Sequence, residues 1–392
     1  MYDVLVTGGE LLDPATGARE RRAVAVLDGA VASLDADPAA PSRRVLDVSG
    51  ALVLPGLVDL HTHVYGGASP LGFDPWRYSF RDGVTTVVDA GTAGAYTFDG
   101  LKRTSQALRP GHVFAFVNLA TIGVTHNEAG ELRDLAYVDR DALVDVITAN
   151  PDLVVGIKLR MSNWVVDNDP EVARRALALA LEVGTATGCR LMVHISDPPI
   201  PIADILGALR AGDVVTHVFS GSGETILSSE QTWAATVAAR ERGVLFDIGC
   251  GRGGLDFDVA RTAMARGFLP DTISSDLTAV TADGPVFGLT NVMSKLLALG
   301  MPLERVIQAV TVNPAAILGR PELGRLREGG EADIAVLGLE RGHFVFQNLR
   351  FIEKTVQEMV GDQHLRALVT LVGGEPLVGS AALRVAGAGE PA

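Results

Sequence analysis

The stretch LVDLHTH, residues 57–63, decides how this chain is read. It is a short apolar run that ends in two histidines two positions apart. Seven comparable runs follow it: VTTVVDAG (84–91), HVFAFVNLA (112–120), LVVGIKLR (153–160), RLMVHIS (190–196), DVVTHVF (213–219), GVLFDIG (243–249) and DTISSDL (271–277). Between them lie mostly helix-like stretches. The clearest is PEVARRALALALEVGTATG (170–188), where Ala and Leu recur in a helical pattern and a glycine ends the segment. Short strands alternating with helices imply a parallel sheet with crossover helices. Eight such units imply closure, so the expected fold class is α/β, a (β/α)8 TIM-like barrel over residues 55–320. A barrel of this kind takes about 250 residues, and the 392-residue chain leaves room for a smaller module.

Both ends of the chain read as β-structure. At the start, YDVLVTGGELLD (2–13), AVAVLDGAVASLDA (23–36) and RRVLDVSGALVLPG (43–56) alternate apolar and polar residues between Gly and Asp. Near the end, GRLREGGEADIAVLGLE (324–340) and ALVTLVGGEPLV (367–378) do the same. The first segment is too small to fold alone. The simplest arrangement is one small β-sandwich built from residues 1–54 and 321–385, followed by a loose tail, VAGAGEPA (385–392).

Hydrophobic residues make up 47% of the chain and charged residues 20%, so a large core is expected and disorder is not. The net charge of −14 argues against nucleic acid or an anionic membrane as partner, since both need clustered Lys and Arg. A small molecule is the expected partner, and a homo-oligomer is left open. Two cysteines, Cys189 and Cys250, are too few for a disulfide framework and fit a reducing cytoplasm. The first residues lack a basic start followed by an apolar run, so no signal peptide is expected. No uncharged apolar stretch of membrane-spanning length is seen.

In a (β/α)8 barrel the active site lies at the C-terminal ends of the strands. Four of the chain's eight histidines fall there: His61 and His63 on the first run, His194 on the fifth and His217 on the sixth. Residues i and i+2 of a strand share a face, so His61 and His63 can grip one divalent ion. His194 and His217, from neighbouring strands, can grip a second. Asp276, on the eighth run, can reach the metal and a bound water, whose pKa would fall towards about 7. An ammonium at Lys158 would be costly inside the barrel and cannot ligate a cation. A carbamylated Lys158 would resolve both problems. An isolated HxH is a weak signal, and Asp276 alone could be a helix N-cap; it is the joint placement that carries weight.

Four residues are candidate substrate contacts. Arg160 shares the face of Lys158 and could clamp a carboxylate or form a structural ion pair. Tyr65 and Asn163, with Trp164 beside it, are placed near the pocket by position alone. Arg252 sits in the loop after the seventh run and could pair with a carboxylate. His126 is as readily a solvated loop histidine as a contact. His112 starts a strand and belongs on the far side, while His343 and His364 lie outside the barrel. Gly249, Gly251 and Gly254 spell GxGxxG, but in the seventh unit these glycines are better read as allowing close backbone approach than as a dinucleotide site. Cys250 has no activating partner in the sequence and is not taken as a nucleophile.

Taken together, GLVDLHTHVYGG (56–67), Lys158, His194, His217 and the SSDL around Asp276 resemble the amidohydrolase superfamily, its dihydroorotase-like enzymes and its amidohydrolase/deacetylase subgroup in particular. The resemblance covers nearly the whole chain. It includes TVNPAAILGRPELGRLREGGEADIAVL (311–337), similar to the segment by which members leave the barrel. It implies that His61, His63 and Asp276 bind one metal and that His194 and His217 bind the other. It further implies two Zn2+, an N6-carboxylysine at Lys158 bridging them, and Asp276 as general base and then general acid. FDIGCGRGG (246–254) is similar to a pocket loop of the deacetylase subgroup, in which a His often stands at the position of Cys250.

The implied activity is hydrolysis of the amide or ester bond of a small N- or O-acylated amino or hydroxy acid. A hydroxide bridging the metals would attack the carbonyl carbon, and an arginine would meet the substrate carboxylate. A cyclic amidase of dihydroorotase or hydantoinase type would use the same ligands. A non-catalytic scaffold on this fold would have lost ligands, whereas all six positions are filled here.

Overall fold

Seven parallel strands form one sheet in unbroken chain order: Leu57–Thr62, Val84–Gly94, His112–Asn118, Val154–Arg160, Arg190–His194, Val214–Thr216 and Leu245–Asp247. The computed structural model describes residues 1–350 and 353–378; the end of the expected sandwich segment, 379–385, and the expected tail lie outside the described residues. The first two strands are buried at every residue. Both faces of the sheet are covered there, so the polar residues of these strands, such as Asp59 and Asp89, are buried as well. Val58, Leu60, Val88, Ala90, Phe116, Met192 and Val214 pack together on one face. Leu57, Val87, Ala115, Ile157, Leu191 and Val215 belong to a second cluster shared with Leu101, Leu143 and Ala173 of the crossover helices.

The eighth run does not form a regular strand, yet it joins both edges of the sheet. Thr272 bridges Asp247 on the seventh strand, and Leu277 bridges Thr62 on the first, both in parallel sense. The sheet thus curls into a TIM-like barrel. Near the end of the eighth run Asp276 adopts a left-handed backbone, φ 47°.

Six crossovers carry the expected helices, Phe98–Ala107, Arg140–Ala149, Pro170–Thr187, Ile202–Ala208, Glu230–Glu241 and Phe257–Ala265. In the third, Asp169 accepts hydrogen bonds from the backbone of Glu171 and Val172, Pro170 opens the helix, and Gly188 at φ 70° ends it. Its buried stripe is Ala173, Ala176, Leu177, Ala180 and Val183. The first crossover differs: among its described residues, 64–83, the chain runs through turns with no helix.

The chain ends form two further sheets. One has four strands in the order Ala30–Ala36, Ala23–Leu27, Tyr2–Thr7, Ser42–Asp47. The other mixes both ends, in the order Glu375–Val378, Thr355–Val372, Ile334–Arg350, Leu52–Pro55, Glu10–Leu12, Arg19–Glu20. Val6, Val24, Val26 and Leu46 bury their side chains in one cluster with Val53, Ile334, Val336, Val369 and Leu371. Within the second sheet, Ile334–Arg350 and Thr355–Val372 form a ribbon far longer than the strand pattern at 324–340 and 367–378 implies.

Candidate metal centre

The strand ends bring His61, His63, Lys158, His194, His217 and Asp276 to the wall of one cavity of about 460 Å3. Strict alternation from Val58 and Leu60 would turn Thr62 inward and its neighbours outward. A register shift between Asp59 and Thr62 changes this. Past it, Thr62 bonds the carbonyl of Val88, and both His61 and His63 reach the cavity. Their Nε2 atoms lie 3.4 and 3.2 Å from Oδ1 of Asp276. His217, at φ 65°, follows the sixth strand directly, and its ring centroid is 5.0 Å from that of His61 and 4.1 Å from that of His194. Two non-glycine residues in the left-handed region, His217 and Asp276, thus sit side by side at the centre; such backbone strain concentrates at functional sites.

The electrostatics suit a cation. Burial and the neighbouring Lys158 keep His61 well below the usual imidazole range; burial and His217 do the same for His194. His217 is pushed down to about 4, chiefly by burial. Rings in this state are neutral and can donate lone pairs. Burial opposes ionisation of Asp276, but the contact with His63 and the nearness of His217 and Lys158 outweigh it and hold the carboxyl below its ordinary value. Lys158 is fully buried, 3.1 Å from His61 Nε2 and 3.5 Å from the sulfur of Met192, and burial lowers it to about 7.

The donor set fits a divalent metal. Ligand atoms of His61, His217 and Asp276 all lie within 4.8 Å of one another. His194 Nε2 is buried without a hydrogen-bond partner among the described residues, an arrangement costly for a polar atom unless something else takes its lone pair. His217 Nδ1 meets the carbonyl of Gly249 at 2.6 Å, which leaves its Nε2 as the donor. The loop of Gly249, Gly251 and Gly254 explains its glycines. A Cβ on Gly251 would overlap the Asp276 carboxylate, and one on Gly254 would overlap the carbonyl of Gly249.

The outer wall departs from expectation in several places. Arg160 lines the cavity, but its guanidinium lies 3.2 and 3.3 Å from the two oxygens of buried Glu131 and stacks 4.4 Å over Trp164. The ion-pair alternative is therefore the one formed. Arg252 and Trp164 line the cavity. Tyr65 and Asn163 are not among the described lining residues. Tyr65 turns its hydroxyl to the carbonyl of Thr97, and Asn163 holds Asp197, which does line the cavity. The cause is local: Tyr65 lies beyond the strand, and Asn163 starts a 3-10 turn, so strand alternation does not apply to either. Glu128 and Arg133, from the loop after the third strand, line the wall and were missed because nothing in their spacing marks them. His126 is exposed and caps the short turn at Asn127–Ala129. His112 lies at the opposite end of its strand, 3.1 Å from Asp333. Cys250 is buried away from the cavity, near Lys295 and Asn348.

The sequence profile of the amidohydrolase family matches residues 52–363, a span that contains all six inner residues. The chain belongs to the amidohydrolase family. This amidohydrolase is 36% identical over 318 residues to a deacetylase of Agrobacterium fabrum, covering 80% of this chain and 77% of that protein. It is 29% identical over 378 residues to a deacetylase of Enterococcus faecalis, covering 95% and 98%. A crystal structure described as a dihydroorotase superposes with a TM-score of 0.87 at 31% identity, covering 96% of this chain and 99% of that one. The amidohydrolase is thus a hydrolase acting on a small molecule. Among its described residues no helix is long and apolar enough to cross a membrane.

Proposed function

We propose that this amidohydrolase is a two-zinc deacetylase that cleaves the amide or ester bond of small N- or O-acylated amino or hydroxy acids. The observation that carries this is the convergence of four imidazoles, Lys158 and Asp276 in one cavity, with His194 Nε2 buried and unpartnered. His61, His63 and Asp276 would hold one ion, His194 and His217 the other, and an N6-carboxylysine at Lys158 would bridge them. When bound, a divalent pair supplies Lewis acidity and lowers the pKa of a coordinated water towards about 7.

The residues divide the remaining work. Asp276, ionised and anchored by its backbone N–H to the carbonyl of His61 at 2.7 Å, takes a proton from the attacking water and returns it to the leaving nitrogen or oxygen. Arg252 meets the substrate carboxylate. Trp164 and Leu71 give the acyl group an apolar wall. Arg160 stays with Glu131 and shapes the floor of that wall. Tyr65 and Asn163 act through Thr97 and Asp197.

The terminal sheets are read as the expected β-sandwich of residues 1–54 and 321–385, set against a barrel of residues 55–320. Their common core supports this. Two free cysteines, Cys189 and Cys250, support a reducing cytoplasm as its place of work.

The test is a hydrolysis screen of zinc-loaded protein over acylated amino and hydroxy acids of both hands, with dihydroorotate and hydantoins alongside. Turnover of an acylated acid is expected. Turnover of the cyclic amides alone would replace the deacetylase with a cyclic amidase.

A further inference from the structure

Among the described residues neither histidine of the first strand hydrogen-bonds a carboxylate through its Nδ1; each meets a threonine there, and His61 Nδ1 stands 3.7 Å from Asp247 Oδ2. His61 Nδ1 lies 2.9 Å from Thr216 Oγ1, and the Thr216 hydroxyl donates to Asp247 Oδ2 at 2.8 Å. A hydroxyl has one proton to give. With that proton committed to Asp247, Thr216 can only accept from His61. Asp247 lies on the seventh strand, which contributes no metal ligand. It is instead a hub, accepting also from Thr272 and Ser274 of the eighth run, each at 2.7 Å. All four of these residues are buried.

A threonine also meets the second histidine, across the cavity. His63 Nδ1 lies 2.7 Å from Thr92 Oγ1. Thr92 binds Asp89 with its backbone N–H at 2.7 Å, and Asp89 accepts also from the backbone of Val64. Thr92 and Asp89 belong to the second strand, so the two relays come from opposite sides of the first.

We propose that Thr216 and Thr92 are positioning residues that hold His61 and His63 in the Nδ1–H tautomer, so that both rings present Nε2 to a divalent cation. This rests on the metal-site assignment made above. A threonine relay does what a direct carboxylate partner does for other metal-ligating histidines, while keeping the carboxylate charge one hydroxyl further from the ion.

The test is zinc affinity of the full chain, supplied with bicarbonate and measured by competition with a chromophoric chelator. Thr216→Val and Thr92→Val keep volume and remove the hydroxyl. Each should weaken zinc about 10–100-fold, whereas Thr216→Ser and Thr92→Ser should stay within about threefold of wild type. Valine variants that bind zinc like wild type would overturn the proposal. Serine variants as weak as the valine ones would also overturn it, since packing and not the hydroxyl would then be responsible. Wild-type protein that binds no zinc would overturn the metal site itself, and the relay with it. Imidazole 15N spectra of the wild-type protein read the tautomer without any variant: a protonated Nδ1 and a bare Nε2 on both rings is expected, and the reverse on either ring would refute the relay at that histidine.

Discussion

Replacing Glu131 by Gln removes the anionic half of the pair with Arg160. The side chains are 2% and 8% exposed, and the guanidinium touches both carboxylate oxygens. Removing one partner of a buried pair costs about 3–5 kcal/mol, because the other charge stays buried. Gln keeps the shape and one acceptor oxygen, and Arg160 keeps its stacking on Trp164, so the lower end, about 3 kcal/mol, is expected. At about 2.1 cal/mol/K per residue, a 392-residue chain unfolding as one unit would lose about 4 °C in its thermal midpoint. The control is Glu171→Gln, which breaks the Glu171–Arg174 contact of 2.7 Å between side chains 79% and 48% exposed. That change should cost less than about 1 kcal/mol. Glu131→Leu combined with Arg160→Met should cost less than Glu131→Gln alone. A Glu131→Gln midpoint indistinguishable from the Glu171→Gln control would refute the buried-pair account.

Three further outcomes follow from the centre itself. Lys158→Ala should leave the folded protein with less than its full zinc complement and remove any dependence of activity on bicarbonate; normal metal content and turnover would rule out a bridging lysine. In metal-free protein Lys158 is lowered to about 7, and only the neutral amine adds to CO2. At fixed dissolved CO2, the rate of carbamylation and hence of reactivation by zinc should plateau above about pH 7 and fall roughly tenfold per unit below it, whereas with an ordinary lysine the rate would keep rising to about pH 10. Gly251→Ala places a methyl against the Asp276 carboxylate at a backbone φ of 40°. It should cut kcat/KM about a hundredfold while costing only about 1–2 kcal/mol in stability, measured by paired kinetics and thermal unfolding.

The inner ring was legible because it follows from two coarse facts, the barrel and the position of strand ends. Lys158 and Arg160 share a face as alternation requires, and both line the cavity. His61 and His63 also share a face, but which face depends on the register shift after Asp59, and no residue pattern announces it. His217 and Thr216 are adjacent in sequence yet both serve the centre, because the backbone at His217 turns left-handed. Glu131, Thr92, Thr216 and Asp247 are ordinary residue types in ordinary strings. Their roles come from partners 29 to 155 positions away, which only the closed barrel brings together. Tyr65 and Asn163 were placed by position alone, and position past a strand end does not fix where a side chain turns.

The central claim is metal-dependent hydrolysis at the His61–His63–Asp276 centre. The most direct measurement is the rate of hydrolysis of an N-acetyl amino acid panel as zinc is titrated into chelator-stripped protein with bicarbonate present. Activity should be absent at the start, rise with zinc and level off at two equivalents per chain. Full activity before any zinc is added, or none at any zinc level on any acylated or cyclic substrate, would contradict it.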